Sequence, residues 1–528
     1  MPPRRRKQQS SSRSLPPPLT DLPLARNERW ALFAIFLAAV LVRLPGLFTG
    51  LWHDEIMYSW VYFDNPGLRS WLLWGDVHPP VYALLLWLWS AVFGNHEAVL
   101  RAPSFLAGML SLLVTWSLAR RGFGRGTALL ALAFLAFSPP HIWYSVENKA
   151  NMLVLFLSVW SLWLGARAAE RPDAGWNWVL LTLVVLLALG THAYALATFG
   201  TVITWLGWRS WHEGKLRRHT AAVGIIVLGA WLPLFLWKTL SQGATLARPY
   251  LRSFTAAEIY KLLLVWTPHG NTLRCISPYG SLRQLLGQSW GYFLVDAFCA
   301  ALLLLGLVAA VREARVRGDS SAGEQGLWPS RLLLLWLLPP LVVAALASLV
   351  VRRFYIERNF LLLLPAYAIL LGLGVARLRR PRLRLVMGVG LLAFGMAATL
   401  SLLVWRHDRW TVYKPKPDWR AAARFLRSEA EQRGRMVVVT TTPSLEAEFY
   451  LRPSPSSYPA IAVADFCGGK YTPSLLASHG GGSFWLVKNE TWEGCWAGAW
   501  RKVADSPGIR LRGQRSFSSL VLYELAAK

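Results

Sequence analysis

The chain has 528 residues, 54% of them hydrophobic and 16% charged, with a formal net charge of +28. Apolar runs of about 16 to 22 residues recur from Trp30 to Trp405, the length that crosses a bilayer, which excludes a soluble globular fold and identifies a polytopic membrane protein. The basic surplus lies in short loops between apolar runs, so it follows the positive-inside bias of cytoplasmic loops and not a nucleic-acid footprint.

Residues 1–29 carry Arg4, Arg5, Arg6, Lys7 and Ser10-Ser11-Ser12. That composition suits a disordered cytoplasmic tail, and the first apolar run shows no clear small-residue cleavage site. The first span is expected over about Trp30 to Phe48. A polar segment follows at once, from Leu51-Trp52-His53-Asp54-Glu55 through Asp76-Val77-His78-Pro79-Pro80. Two adjacent carboxylates about one helical turn beyond a membrane end are costly unless paired, solvated or used. The outer loop 49–97 is therefore the candidate catalytic segment.

Val81 to Gly94 is apolar but short. If it crosses the membrane, the basic loops at Arg120 to Arg125, Arg209 to Arg218, Arg312 to Arg317 and Arg377 to Arg384 all fall outside. If it does not cross, all of them fall inside, as the charge bias requires. Residues 81–94 are thus expected to form an interfacial or re-entrant helix. About eleven spans remain, with the N-terminus cytoplasmic and the C-terminus outside. They lie near 30–48, 98–119, 127–141, 150–168, 177–192, 194–208, 220–240, 289–311, 332–351, 359–376 and 385–405.

This topology gathers His53, Asp54, Glu55, Asp76, His78, Glu97, Arg101, His141, Glu147, Lys149, His192 and Tyr194 on the outer side. The long loop 241–288 adds Lys261, His269 and Arg274, and a late loop adds Arg352, Arg353, Glu357 and Arg358. These cations run against the positive-inside trend, and an anionic phosphate headgroup is the simplest reason for them.

Residues 30–405 thus read as the transmembrane module and 406–528 as an extracytoplasmic domain. In the latter, Pro417 to Arg427 has the pattern of an amphipathic helix with Asp418 as N-cap, and Met436–Thr440, Ser483–Val487 and Ser519–Tyr523 read as strands. The domain is a small α/β unit with no nucleophile motif and no Gly-rich phosphate loop. Cys299 falls inside an apolar run as a packing residue, Cys467 and Cys495 are a candidate disulfide outside the cytoplasm, and Cys275 has no evident partner.

The order of these elements resembles the GT-C glycosyltransferases, and within them family 39, which includes protein O-mannosyltransferases and bacterial lipid A aminoarabinose transferases. The resemblance rests on Asp54-Glu55, His78-Pro79-Pro80-Val81-Tyr82, Phe93-Gly94 through Glu97 to Arg101, Ser138-Pro139 through Tyr144-Ser145 and Glu147, and Arg358 through Pro365. It covers about residues 30 to 430. Many relatives carry Gln-Glu-Ala-Arg where this chain has Val146-Glu147-Asn148-Lys149; lysine keeps the charge and loses the bidentate fork.

The resemblance implies transfer of a sugar from a polyprenyl phosphate to an acceptor hydroxyl, outside the cytoplasm and with inversion. Asp54 would be the general base, with Glu55 orienting it, binding the acceptor or ligating a metal. Arg101, Arg358, Arg353 and Lys149 would meet the donor phosphate, and His78, Glu97 and Glu147 the substrates. The same residues also admit plainer readings. The acidic pair suits a solvated first helical turn. Arg101 suits an i, i+4 pair with Glu97. His78 suits a turn before two prolines, the late arginines suit interfacial anchors, and His192 and Tyr194 suit packing. Asp54, Glu55, His53 and His78 have the chemistry to hold a divalent metal, although family 39 relatives do not generally look metal-dependent. A transporter or flippase of lipid-linked glycans would instead place ionisable groups at mid-membrane depth and show an internal repeat. A non-catalytic envelope assembly protein would leave the Asp54 loop without a role. The residues admit a protein, a lipid or a glycan as acceptor, and the compositional lean is to a bacterial inner membrane.

Overall fold

The computed structural model describes residues 24–64, 79–210, 214–242, 290–316, 328–350, 357–404, 417–433, 437–440, 445–451, 460–462, 482–489, 507–518 and 520–528, with isolated positions 255, 258, 262, 477 and 480. His78, Arg353, Asp76, Lys261, His269, Arg274, Cys275, Cys467 and Cys495 lie outside the described residues.

Among the described residues, fourteen α-helices form the membrane module. They are α1 (Arg26–Leu47), α2 (His53–Asp64), α3 (Val81–Phe93), α4 (Glu97–Phe123), α5 (Arg125–Ala136), α6 (Pro139–Ser145), α7 (Asn151–Glu170), α8 (Gly175–Leu189), α9 (Ala195–Arg209), α10 (Gly214–Gln242), α11 (Trp290–Val316), α12 (Trp328–Val350), α13 (Leu364–Ala376) and α14 (Pro381–Val404). A 3-10 turn, Glu357–Leu363, leads into α13. Each of the expected spans falls on a helix. Among the described residues, eight helical segments are long and apolar enough to cross a membrane, or nine if α5 and α6, bent by 60°, are counted as one span. Helices α8 and α9 have 15 residues each, which at ~1.5 Å per residue falls short of the ~30 Å hydrocarbon core. Helix α3 has 13 residues, also shorter than the hydrocarbon core.

Local chemistry accounts for the main breaks. Gly124 sits at φ +85° between α4 and α5, a conformation that favours glycine, so a long helix reverses into the next without a loop. The bend between α5 and α6 falls at Ser138-Pro139-Pro140, where prolines open a new helix and cannot continue the old one. Helices α11 and α13 cross at Gly306 and Gly374, where any Cβ would overlap the Leu370 or Leu302 carbonyl. Small residues at such crossings let two backbones approach in a lipid environment.

The two ends of the module differ in chemistry. At one end Glu28 is held by Arg120 (2.7 Å) and Arg125 (3.3 Å), Arg121 pairs with Glu170, and Arg377 pairs with Glu313. The opposite end carries the acidic loop. There the C-terminal chain forms α15 (Trp419–Arg433), β1 (Val438–Thr440), α16 (Leu445–Leu451), β2 (Ala460–Ala462), β3 (Ser483–Asn489), β4 (Ile509–Phe517) and β5 (Leu520–Ala527). The sheet order is β2-β1-β3-β5-β4, with β1 parallel to β2 and β3, and β5 antiparallel to β3 and β4. Asp418 accepts the Ala421 N–H at 3.1 Å, the N-cap expected from sequence.

The domain does not stand apart from the module. Trp419, Ala422, Leu426, Tyr450, Trp485 and Leu522 share one buried cluster with Leu51, Ile56 and Tyr58 of the acidic loop and with Tyr82, Leu86 and Leu100 below it.

Candidate active site

Asp54 and Glu55 open helix α2, and adjacent residues on a helix point about 100° apart. That angle separates their environments. Glu55 is wholly buried. Arg101 donates to both its oxygens, Nε to Oε1 and Nη2 to Oε2, each at 2.7 Å. The Asn148 N–H reaches Oε1 at 2.9 Å, and the Trp52 N–H reaches Oε2 at 3.3 Å. Four donors thus saturate this carboxylate, which is how a buried charge is tolerated.

Arg101 is saturated in turn. Its remaining N–H groups donate to the carbonyls of Gly46, Leu47, Thr49 and Gly50 and to Thr49 Oγ1. The guanidinium is fully buried, with no open edge for a phosphate. Arg101, expected at the donor phosphate, here ties the end of α1 and the start of the acidic loop to α4 through Glu55. The i, i+4 pairing with Glu97 is not formed either. Glu97 turns to the C-terminal domain, where Arg420 Nε lies 2.7 Å from its Oε1 and the Tyr450 hydroxyl donates to the same oxygen at 3.4 Å. Glu97, expected to bind substrate, is engaged in an interdomain contact.

Asp54 faces the other way and keeps about a quarter of its side chain accessible. Lys149 Nζ donates to Oδ2, and Arg358 Nη1 lies 3.8 Å from the same oxygen. Tyr58, Tyr144 and Glu147 lie close enough to Arg358 to act on it electrostatically. Lys149 stands 4.6 Å over the Trp52 ring and 3.9 Å from Glu147 Oε1. The Trp52 indole N–H donates to that same oxygen at 3.1 Å, while Glu147 Oε2 is buried without a hydrogen-bond partner.

Behind this face a polar string fixes the turn that carries Glu147 and Lys149. The Tyr82 hydroxyl donates to Asn148 Oδ1 at 2.9 Å and lies 3.0 Å from Ser104 Oγ. Ser104 donates to the Lys149 carbonyl at 2.9 Å, and Asn148 Nδ2 donates to the Glu55 carbonyl at 3.1 Å. One layer deeper, Arg43 Nη2 meets His141 Nδ1 at 2.8 Å, and His141 Nε2 meets Ser111 Oγ at 3.0 Å. His192 and Tyr194 pack their rings 5.4 Å apart, and Tyr194 meets Phe360 beside Arg358.

The structure thus brings Asp54, Lys149, Arg358 and Glu147 together, places Glu55 and Arg101 behind them as a brace, and sets Glu97 to one side. Sequence reasoning missed Trp52, Tyr82, Asn148 and Tyr450. Trp52 carried a usable signal, because it sits inside the polar segment, directly before His53-Asp54, and not at the end of an apolar run. Among the described residues, no three His, Cys, Asp or Glu side chains converge as metal ligands.

Comparisons with known proteins agree with this architecture. Residues 77–237 match the family described as dolichyl-phosphate-mannose-protein mannosyltransferase. The undecaprenyl phosphate-alpha-4-amino-4-deoxy-L-arabinose arabinosyl transferase of Pseudomonas aeruginosa (strain UCBPP-PA14) is 27% identical over 416 residues, 75% of this chain and 68% of the relative. ArnT from Cupriavidus metallidurans in its apo state superposes with a TM-score of 0.55 at 14% identity, covering 95% of this chain and 98% of that one. The same enzyme bound to undecaprenyl phosphate gives 0.53 at 14% identity over the same shares. Together with the helical module and its small C-terminal sheet, these likenesses support a membrane glycosyltransferase of GT-C fold that is similar to the protein mannosyltransferases and to ArnT.

Proposed function

We propose that this protein transfers a sugar from a polyprenyl-phosphate donor to an acceptor hydroxyl at the extracytoplasmic face of a bacterial inner membrane, with inversion and with Asp54 as general base. The observation that carries this reading is the contrast between neighbours: Glu55 is buried and saturated, whereas Asp54 is partly accessible and faces two cations. The donor class follows the relatives, one named for an undecaprenyl-phosphate sugar and one solved with undecaprenyl phosphate.

In this scheme the donor phosphate binds Lys149 and Arg358, which now share Asp54 Oδ2. An arriving phosphate competes for both cations, and the weaker hold of those cations on the carboxylate lets it accept a proton. The acceptor oxygen attacks the anomeric carbon, its proton passes to Asp54, and the bond from that carbon to the phosphate oxygen breaks. The electron pair leaves with polyprenyl phosphate as its monoester, whose added charge Lys149 and Arg358 stabilise. A positioned general base contributes about 10²- to 10⁴-fold. Glu147, with one unfilled oxygen beside Lys149, is placed to accept a hydrogen bond from a substrate hydroxyl or ammonium. His78 and Arg353 remain proposals for substrate and phosphate contacts.

The test is reconstitution in liposomes with a panel of polyprenyl-phosphate sugars and cell-envelope extract as acceptor source, reading release of polyprenyl phosphate. Turnover with one donor that falls at least ~10²-fold in Asp54→Asn supports the reading. Equal turnover in both proteins removes Asp54 from the mechanism, and silence with every donor in the presence of extract overturns the transferase scheme proposed for this site.

A further inference from the structure

We infer that Tyr450 of the C-terminal domain is a positioning residue for transfer, holding the backbone that leads into Asp54. The inference rests on the reading of Asp54 as base. Residues 49–51 are the hinge between the membrane helix α1 and the catalytic helix α2, and they are gripped from both sides. On the membrane side, Arg101 takes the carbonyls of Thr49 and Gly50. On the domain side, the Leu51 N–H donates to the Tyr450 hydroxyl at 2.6 Å. That phenol also donates to Glu97, which pairs with Arg420. Pro417 O and Arg420 N close over Gly50, within 4 Å of where its Cβ would stand. Two residues after Leu51, His53 Nδ1 meets Glu446 of α16 at 3.4 Å.

All of these contacts fall within five residues of Asp54 in sequence or on Glu97 at the far end of the same loop. Burial of the Tyr450 phenol, the largest influence on it, pushes its pKa well above the ordinary tyrosine value. It therefore stays protonated and can accept from Leu51 while donating to Glu97 at any working pH. Leu51 and Ile56 are wholly buried among Trp419, Leu426 and Leu522, so the hinge is embedded in the domain's own core. A domain that only covered the site would not need a hydrogen bond to the backbone three residues from the base.

The test uses the full-length protein in lipid nanodiscs. Two readouts are taken: steady-state transfer, and amide hydrogen exchange of the 49–56 segment by mass spectrometry. Tyr450→Phe removes only the hydroxyl. The expected result is at least tenfold faster exchange in that segment and a kcat lower by about 10- to 100-fold, with donor KM changed less than threefold, since small misplacement of a reacting group costs rate more than binding. Arg515→Ala removes a cation–π contact to Phe425 elsewhere in the domain and is expected to leave both readouts at wild-type values. If Tyr450→Phe does not purify as a folded protein, Glu97→Gln serves in its place, because it removes the charge that both Tyr450 and Arg420 face while keeping the ring. Wild-type exchange with wild-type kcat overturns the inference. So does a raised KM at unchanged kcat, which would make Tyr450 a substrate contact. The exchange readout needs no turnover, so failure of the transferase scheme and failure of the positioning role are separately visible.

Discussion

Glu55→Gln is the sharpest test of the division between brace and base. The substitution keeps volume and shape, so no cavity enters the cost. It replaces a carboxylate that accepts from four donors, two on each oxygen, with an amide whose NH2 must point at two of them. Arg101 then remains buried with its charge unpaired, since its other acceptors are carbonyls and one hydroxyl. Breaking a buried pair by removing one partner costs about 3–5 kcal/mol. Two charge-assisted hydrogen bonds at about 1.5–3 kcal/mol each give the same range. Against a typical total stability of about 5–15 kcal/mol, such a loss reduces the folded fraction on heating and the yield on purification. The assay is thermal unfolding in detergent, run beside Asp54→Asn. Glu55→Gln should unfold at a markedly lower temperature, whereas Asp54→Asn should unfold within a degree or two of wild type and lose turnover. The double variant Glu55→Gln with Arg101→Met should be less unstable than the sum of the single variants, because it also removes the orphaned charge. A Glu55→Gln protein as stable as wild type would refute the brace.

Three further outcomes are expected. Lys149→Gln should raise donor KM about tenfold or more, and Lys149→Arg should keep most of the activity, because the site needs a cation there and relatives use arginine; donor titration in liposomes measures both. Gly374→Ala should destabilise by about 1–3 kcal/mol, since its Cβ would overlap the Leu302 carbonyl; a shortened thermal half-life with unchanged kcat per folded molecule would show it. Alkaline phosphatase fused after Lys528 should be active and fused after Val316 inactive, which would place the C-terminal domain outside and the Glu28, Arg121 and Arg377 ion pairs at the cytoplasmic face.

The spans were legible because apolar length and loop charge are summed over many residues, and errors in single positions cancel. The same sum, over four basic loops, is the ground for reading α3 as a helix that does not cross. Strands β2 and β4 were not legible. The first is three residues long, and the second carries Arg510, Arg512, Gly513 and Arg515 on an exposed edge, where no buried face imposes a pattern. In the site, the residue types could be read but not their partners. Arg101 finds Glu55, 46 positions away, and Glu97 finds Arg420 across 323 positions, although the two stand one helical turn apart and suit each other.

That failure has a physical cause which bears on function. An exposed i, i+4 pair is worth only about 0.2–0.5 kcal/mol, so either member is readily drawn to a stronger site. Burial supplies one for Arg101, because a desolvated guanidinium needs a desolvated carboxylate and Glu55 is the one the fold presents. Once Glu55 is consumed, the acidic pair contributes a single carboxylate to the open side, and Lys149 and Arg358 converge on it. The chemistry proposed for Asp54 thus depends on its neighbour's being unavailable. An enzyme whose two carboxylates were equally open would have no such asymmetry, and substituting either would act on turnover alone. Here the two substitutions should separate, one acting on stability and the other on rate.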